Sequence, residues 1–375
     1  GKKDYHLVNR GFFVASVLSL IVGAMISIVG SLAIRDFLIL MHTPGEILEQ
    51  SLDYIKVILL GFVITVLNNL FMSVLQSLGD SSTPFWALLV SSVTNIGLDC
   101  VFVLTLKWGV QGAAAATVLS QVFSFAICAA GLKRLKFVSI LDGSKSKNAR
   151  LTVRMLKTGL PVGIMSMVTA VGGMILQFFV NDLGASAVAA YAASTKIRSV
   201  IGEFSNAMGM TFMTFVGQNY GAQKYDRIKA GVRMGVLLSI LIHIPLSAVE
   251  IFGGKRIASL MVTDPPVLEL CRQYLLIVGI FVFFLGFLMV FRNCIQGMGN
   301  TWIPMLSGGL EVFSRLIFGY WLGRHSFMGI AAAEASAWIS VSIMLGSSFF
   351  ILFRKVLRTQ TPENTTDTKN IRTVS

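Results

Sequence analysis

The sequence predicts an all-α, polytopic membrane protein with about ten transmembrane helices in two pseudo-symmetric lobes. Three observations predict it. First, 54% of the 375 residues are hydrophobic, only 13% are charged, and the mean hydropathy is +0.75. A soluble two-domain protein does not have that composition. Second, apolar runs of about twenty residues or more recur along the chain, and each is long enough to cross a hydrocarbon core as a helix. Third, the chain repeats itself at an offset of 220 residues.

Taken in order, Gly1–Arg10 is polar and basic. Apolar runs follow at 12–34, 54–75, 85–106 and 110–131, and form a first lobe over residues 1–135. A basic linker covers 136–157, with Asp142-Gly143-Ser144 as a turn signal. Six further runs, at 159–180, 187–217, 232–252, 273–297, 303–323 and 327–353, form a second lobe over 158–355. A polar tail, 356–375, ends the chain. Pro84, Pro161 and Pro304 are expected at helix starts, where a missing N–H costs nothing, and Pro245 inside a kinked helix.

The repeat aligns residues 1–135 with 221–355 without a gap. Gln76, Gly79 and Pro84 meet Gln296, Gly299 and Pro304, and Gly109 meets Gly329. Hydropathy alone could align helices, but not turn residues such as Gly79-Asp80 and Gly299-Asn300. Four spans per copy is an even number, so both copies share one membrane orientation and are related by an axis along the membrane normal. Two extra spans precede the second copy and none precedes the first. The expectation is a fragment of a six-plus-six form, lacking two helices ahead of Gly1.

Charge sets the orientation. With Gly1–Arg10 inside, twenty of the 31 Lys and Arg fall on the cytoplasmic side and seven on the other. The Gly1 end, the linker and the C-terminus are therefore expected in the cytoplasm of a multi-pass cell-membrane protein. The net charge of +13 then reflects basic loops and not nucleic-acid binding. Cys100, Cys128, Cys271 and Cys294 show no CxxC spacing. No HExxH, GxSxG or phosphate loop occurs, so no enzyme is expected.

The run from Pro84 to Leu106 carries the candidate site. Ser91, Ser92, Asn95 and Asp99 line one helical face. A carboxylate at that depth is costly unless it faces protein or water, and is by default a functional candidate. The alternative is a structural polar residue hydrogen-bonded to a neighbour. On the next run Thr117, Ser120, Gln121 and Ser124 share a face. Asp99 and Thr117 lie nine residues either side of Trp108, which puts them about 13 Å from the turn at 1.5 Å per residue. Carboxylate, amide and hydroxyl groups suit a hard cation such as Na⁺. Asn95, Asp99 and Thr117 are therefore the candidate cation-coupling residues, with no other cofactor. Candidates for a substrate cavity are Asn69, Met174, Gln177, Met210 and Met213, because methionine adapts to varied ligands. Glu311 and Arg315 are spaced to pair, and Glu203 is expected to pair with Lys196 or with another helix.

Several motifs in order resemble the multidrug and toxic compound extrusion (MATE) family, on its prokaryotic DNA-damage-inducible-like branch. They are Gly159-Leu160-Pro161, Gly217-Gln218-Asn219-Tyr220-Gly221-Ala222, Gln296-Gly297-Met298-Gly299-Asn300 and Asn95 with Asp99. The resemblance extends to about residue 355. It implies twelve helices in two six-helix lobes, of which this chain has family helices three to six and seven to twelve. It also implies export of cationic and amphipathic compounds in exchange for Na⁺ or H⁺. The family's cation site matches Asn95, Asp99 and Thr117, with a further aspartate on the absent first helix. At the 220 offset these become Arg315, Gly319 and Ala337, so coupling is expected in the first lobe alone. The expected function is a multidrug efflux antiporter working by alternating access, as a monomer, with small-molecule drugs and organic cations and the lipid bilayer as partners. A lipid-linked oligosaccharide flippase of the same superfamily and a non-functional truncated fragment are the alternatives.

Overall fold

The computed structural model describes residues 4–40, 45–135 and 149–358. Ser144 and the tail beyond Arg358 lie outside the described residues. Those described form no strand, one short helix at Gly254–Ala258 and ten long helices. They are α1 (Tyr5–Leu40), α2 (Gly45–Leu78), α3 (Ser82–Asp99), α4 (Gly109–Arg134), α5 (Ala149–Asp182), α6 (Ala185–Gly221), α7 (Tyr225–Ala248), α8 (Pro265–Gly297), α9 (Trp302–Phe318) and α10 (Phe327–Arg358). Three helices continue into wider π-helical turns: α3 into Cys100–Thr105, α7 into Val249–Gly253 and α9 into Gly319–Gly323. Eight helices are long and apolar enough to cross a membrane. The other two are α6, which carries Lys196, Arg198 and Glu203, and α9, whose α-helical part has 17 residues.

Contacts divide the chain between Met155 and Leu156 into two compact units. In the first, a small core gathers Phe12, Phe71, Leu75, Ala87, Cys128 and Leu132. The second has a larger core drawn from α5, α6, α7, α8 and α10, in which Tyr274 and Trp338 are among the most buried side chains. Cys128, Cys271 and Cys294 pack as small apolar side chains and all four cysteines are free.

The repeat is visible in backbone detail. Helices α1 to α4 recur as α7 to α10 at the 220 offset, and the π-helical stretch after α3 recurs after α9. The adjacencies recur too: α1 on α2, α2 on α4 and α3 on α4 match α7 on α8, α8 on α10 and α9 on α10. Helix α2 ends with Gly79 N–H bonded to Gln76 O and Asp80 N–H to Leu75 O; α8 ends with Gly299 N–H bonded to Gln296 O and Asn300 N–H to Ile295 O. Gly79 (φ 96°) and Gly299 (φ 85°) take the left-handed conformation that glycine adopts without steric cost. The next residue then caps the following helix. Asp80 accepts the Thr83 N–H (3.0 Å) and hydroxyl (2.6 Å), and Asn300 accepts the Ile303 N–H (3.2 Å). The Thr83 hydroxyl, then its N–H, hold the Asp80 carboxyl below its usual range. This cap is therefore fully formed at neutral pH. It is lost as pH falls through the lowered value, below the reference of about 3.9.

The equivalent pair Gly109 and Gly329 is conserved between the copies for two different reasons. Gly109 has φ +58°, whereas a Cβ on Gly329 would lie 1.9 Å from the Leu322 carbonyl oxygen. Gly329→Ala is expected to destabilise the second unit by about 1–3 kcal/mol or more, because the obstacle is backbone. Gly309→Ala, with nothing within 4 Å of its Cβ, should be neutral or slightly stabilising. Thermal unfolding in detergent separates the two; equal melting temperatures would refute the close-packing argument.

One sequence expectation is corrected. Helix α5 begins at Ala149, inside the stretch read as linker, and so Pro161 is interior and buried. Leu151, Thr152, Met155 and Thr158 are half-buried at i, i+1, i+4 and i+7. That spacing carries the helix through the basic segment. Pro84 and Pro304 do sit in first turns, and Pro245 lies in α7 just before its π-helical turn.

Candidate functional site

Helices α3 and α4 form a hairpin whose closeness depends on small residues. A Cβ on Gly112 would stand 3.1 Å from the Phe102 Cβ, and one on Gly131 2.6 Å from a Thr83 methyl. The Ser91 hydroxyl donates to the Ser120 carbonyl at 2.9 Å. Ser91 thus stands opposite Ser120 and Phe102 opposite Gly112. In this register Thr117 is level with Asn95, and Asp99 lies about one turn nearer the connection, level with Ala114. The equal depth expected for Asp99 and Thr117 assumed an α-helix up to the turn. The π-helical stretch Cys100–Thr105 fits more residues into each turn and draws Asp99 toward it.

Asn95 and Asp99 are half-buried on one face of α3. The Asn95 amide nitrogen and Asp99 Oδ1 are shielded from solvent and have no hydrogen-bond partner. Shielded polar atoms are ordinarily paired, so two orphans one turn apart on one helix stand out. The Thr117 hydroxyl donates to Ala113 O at 3.0 Å and keeps its lone pairs for another group. Beside them, buried Asn68 of α2 donates to Gln121 (2.7 Å) and accepts from Ser124 (3.0 Å). That network is closed and ties α2 to α4. Asp99, by contrast, is an open acceptor. No group of three His, Cys, Asp or Glu able to hold a metal ion occurs among the described residues. A carboxylate with neighbouring neutral ligands is suited to a proton or a hard cation.

The substrate-cavity candidates are divided between the two units. Asn69, in the first unit, is exposed. In the second unit Met174 is exposed and Gln177, Met210 and Met213 are half-buried. The Gln177 amide is bonded to Asn181 of its own helix at 2.8 Å. Met165 and Met208 are buried packing residues.

The second unit holds a buried chain of alternating charges that sequence reasoning only partly found. Arg198 of α6 pairs with Glu334 of α10 (2.7 Å), and Arg315 of α9 reaches Glu334 (3.7 Å) and Glu311 (3.0 Å). Glu311 in turn pairs with Arg292 of α8 (3.1 Å). The Tyr274 hydroxyl donates to Glu334, and Arg198 lies over the Trp338 ring at 5.4 Å. The expected Glu311–Arg315 pair is therefore present within a larger set. Glu203 is exposed and no ion pair to it occurs among the described residues, so neither proposed partner is found. Three guanidinium groups face two carboxylates in this chain. Glu250, on the π-helical turn after α7, is 1% exposed, and both its oxygens lack a hydrogen-bond partner. Its signal in the sequence was simply an acid within an apolar run. At the 220 offset Asp99 becomes Gly319. Yet Glu334, the counterpart of Ala114, stands on the facing helix of the equivalent hairpin. Each copy thus carries an acid at this level, on opposite helices.

A family model described as MatE matches residues 1–101 and 161–321. The chain belongs to the MATE family. Among curated MATE relatives it is 27% identical to the "Probable multidrug resistance protein YoeA" of Bacillus subtilis, across 83% of this chain and 72% of that protein. It is 24% identical to the "Probable multidrug resistance protein NorM" of Thermotoga maritima, across 83% of this chain and 68% of that one. Among solved MATE folds, one described as "Outward-facing conformation of a multidrug resistance MATE family transporter of the MOP superfamily" matches with a TM-score of 0.86 at 22% identity, across 94% of this chain and 83% of that one. A superfamily transporter from Pyrococcus furiosus, described by the reverse polarity of its binding pocket, matches with a TM-score of 0.84 at 21% identity, across 94% and 85%. This chain is thus a multi-pass membrane protein of a transporter family.

Proposed function

We propose that this MATE protein is a secondary active multidrug efflux antiporter, exchanging cationic or amphipathic compounds for Na⁺ or H⁺ by alternating access. The observation that carries the coupling role is the pair of shielded, unpartnered polar atoms on Asn95 and Asp99, with Thr117 on the facing helix. A carboxylate without a protein partner takes up a proton or a cation. If loading alters the relative stability of two conformations, it shifts their populations. Curated relatives named as multidrug resistance proteins supply the substrate class.

The flippase alternative requires free basic groups to hold pyrophosphate. Arg198, Arg292 and Arg315 are instead each ion-paired with Glu334 or Glu311 and so are not free basic groups, which favours the antiporter. The test is efflux of organic cations from vesicles under separate Na⁺ and H⁺ gradients. Efflux driven by either gradient is the expected result, and no response to either would overturn it.

The basic loops favour a cytoplasmic linker. Cysteine introduced at Ser144 should react with membrane-impermeant reagents only in inverted or permeabilised membranes. Labelling in intact cells would reverse the orientation.

A further inference from the structure

A cavity of about 590 Å³ opens in the second unit between α7, α8 and α10. Its walls include Phe291, Phe350 and Phe353, and its charged lining is Lys229, Arg233 and Arg354. No carboxylate lines it among the described residues.

The two chemistries are ordered along the helices. Lys229 and Arg233 lie in the first turns of α7, and Arg354 in the last turns of α10. These ends lie at one side of the bundle, because α7 begins where α8 and α10 finish. Phe350 stands about one turn further in than Arg354, and Phe291 lies inside the end of α8. Cations at the helix ends, with aromatic rings deeper, form a polarity gradient along the membrane normal.

Three cations without a lining acid repel one another and invite an anion. Phe350, 57% exposed, offers an apolar surface that a water-soluble anion does not use. A phospholipid carries both parts in this order, with a phosphate at the interface and acyl chains below. Basic pockets between membrane helices bind such head groups. The volume lies within the roughly 300–1,000 Å³ of small-ligand sites, enough for a head group and the upper part of a chain.

We infer that this cavity is a binding site for an anionic phospholipid, whose phosphate is held by Lys229, Arg233 and Arg354 and whose acyl chains lie on Phe291 and Phe350. The site belongs to the second unit and does not depend on Asp99, so it stands apart from the coupling reading.

Native mass spectrometry of the detergent-purified chain, offered phosphatidylglycerol and phosphatidylcholine of identical acyl chains, tests it. Phosphatidylglycerol should be retained at least about tenfold better, because the cations favour the head group with net negative charge over the zwitterion. The variant Lys229→Gln/Arg233→Gln/Arg354→Gln should fall to the phosphatidylcholine level. Lys56→Gln/Lys107→Gln/Arg256→Gln, which removes as many exposed charges elsewhere, should retain the lipid. Phe350→Ala, which keeps all three cations, should weaken retention of both lipids. Equal retention of the two lipids, or full retention by the first triple variant, would overturn the site. Displacement of the lipid by millimolar inorganic phosphate would reduce it to a bare anion site and overturn the lipid assignment.

Discussion

Asp99→Asn is expected to abolish gradient-driven efflux while leaving membrane insertion normal. The substitution keeps the shape of the side chain and removes its charge and its ability to take up a proton. Asp99 Oδ1 is shielded and has no partner, so no internal hydrogen bond is lost. A loss of transport would then report the missing charge and not misfolding. Substrate binding should be partly retained if the drug and cation sites are separate. Thr117→Ala should be milder, because its hydroxyl is a neutral ligand that water replaces and its proton is already given to Ala113 O. Gly319→Ala in the second copy should leave ion dependence unchanged. It is expected to cost stability, because its Cβ would meet the Phe179 ring at 2.6 Å. Efflux by Asp99→Asn at the unaltered rate and with the same ion dependence would end the assignment.

Glu334→Ala should be the most destabilising single change in the second unit. Glu334 is 1% exposed and is shared by Arg198, Arg315 and the Tyr274 hydroxyl. Removing it leaves the Arg198 guanidinium without the carboxylate it pairs with, inside the helix bundle. Breaking a buried pair from one side costs about 3–5 kcal/mol. That is a large share of the roughly 5–15 kcal/mol that separates folded from unfolded proteins. Replacing Glu269, an exposed partner of Lys255 and Arg272, should have little effect on the melting temperature, since solvent screens such pairs. Equal melting temperatures for Glu334→Ala and Glu269→Ala, measured in detergent, would contradict the buried network.

The number of helices, their order and the repeat were legible in the sequence because each rests on local chemistry. Apolar length sets a span. Gly79 and Gly299 mark positions needing a left-handed backbone, and Asp80 and Asn300 supply the caps that follow. The start of α5 was missed because its basic residues read as a linker, although its half-buried positions keep helical spacing. The face shared by Asn95 and Asp99 was likewise legible, since a helix fixes what lies one turn away.

What required the tertiary structure was everything that depends on which helix faces which. The level of Thr117 against Asn95 follows from the π-helical turn and the Ser91–Ser120 bond, neither of which spacing predicts. Arg198, Glu334, Arg315, Glu311 and Arg292 are spread across four helices and 137 positions of sequence, so no periodicity joins them. A repeat comparison pairs Asp99 with Gly319 and finds no acid there. Only the packed hairpin brings Glu334 to that level from the facing helix. By itself the sequence determined the helices, their order and the residues on each face. Tertiary packing decided which charges meet and which polar atoms have no protein partner, because pairing depends on distance in space and not on distance along the chain.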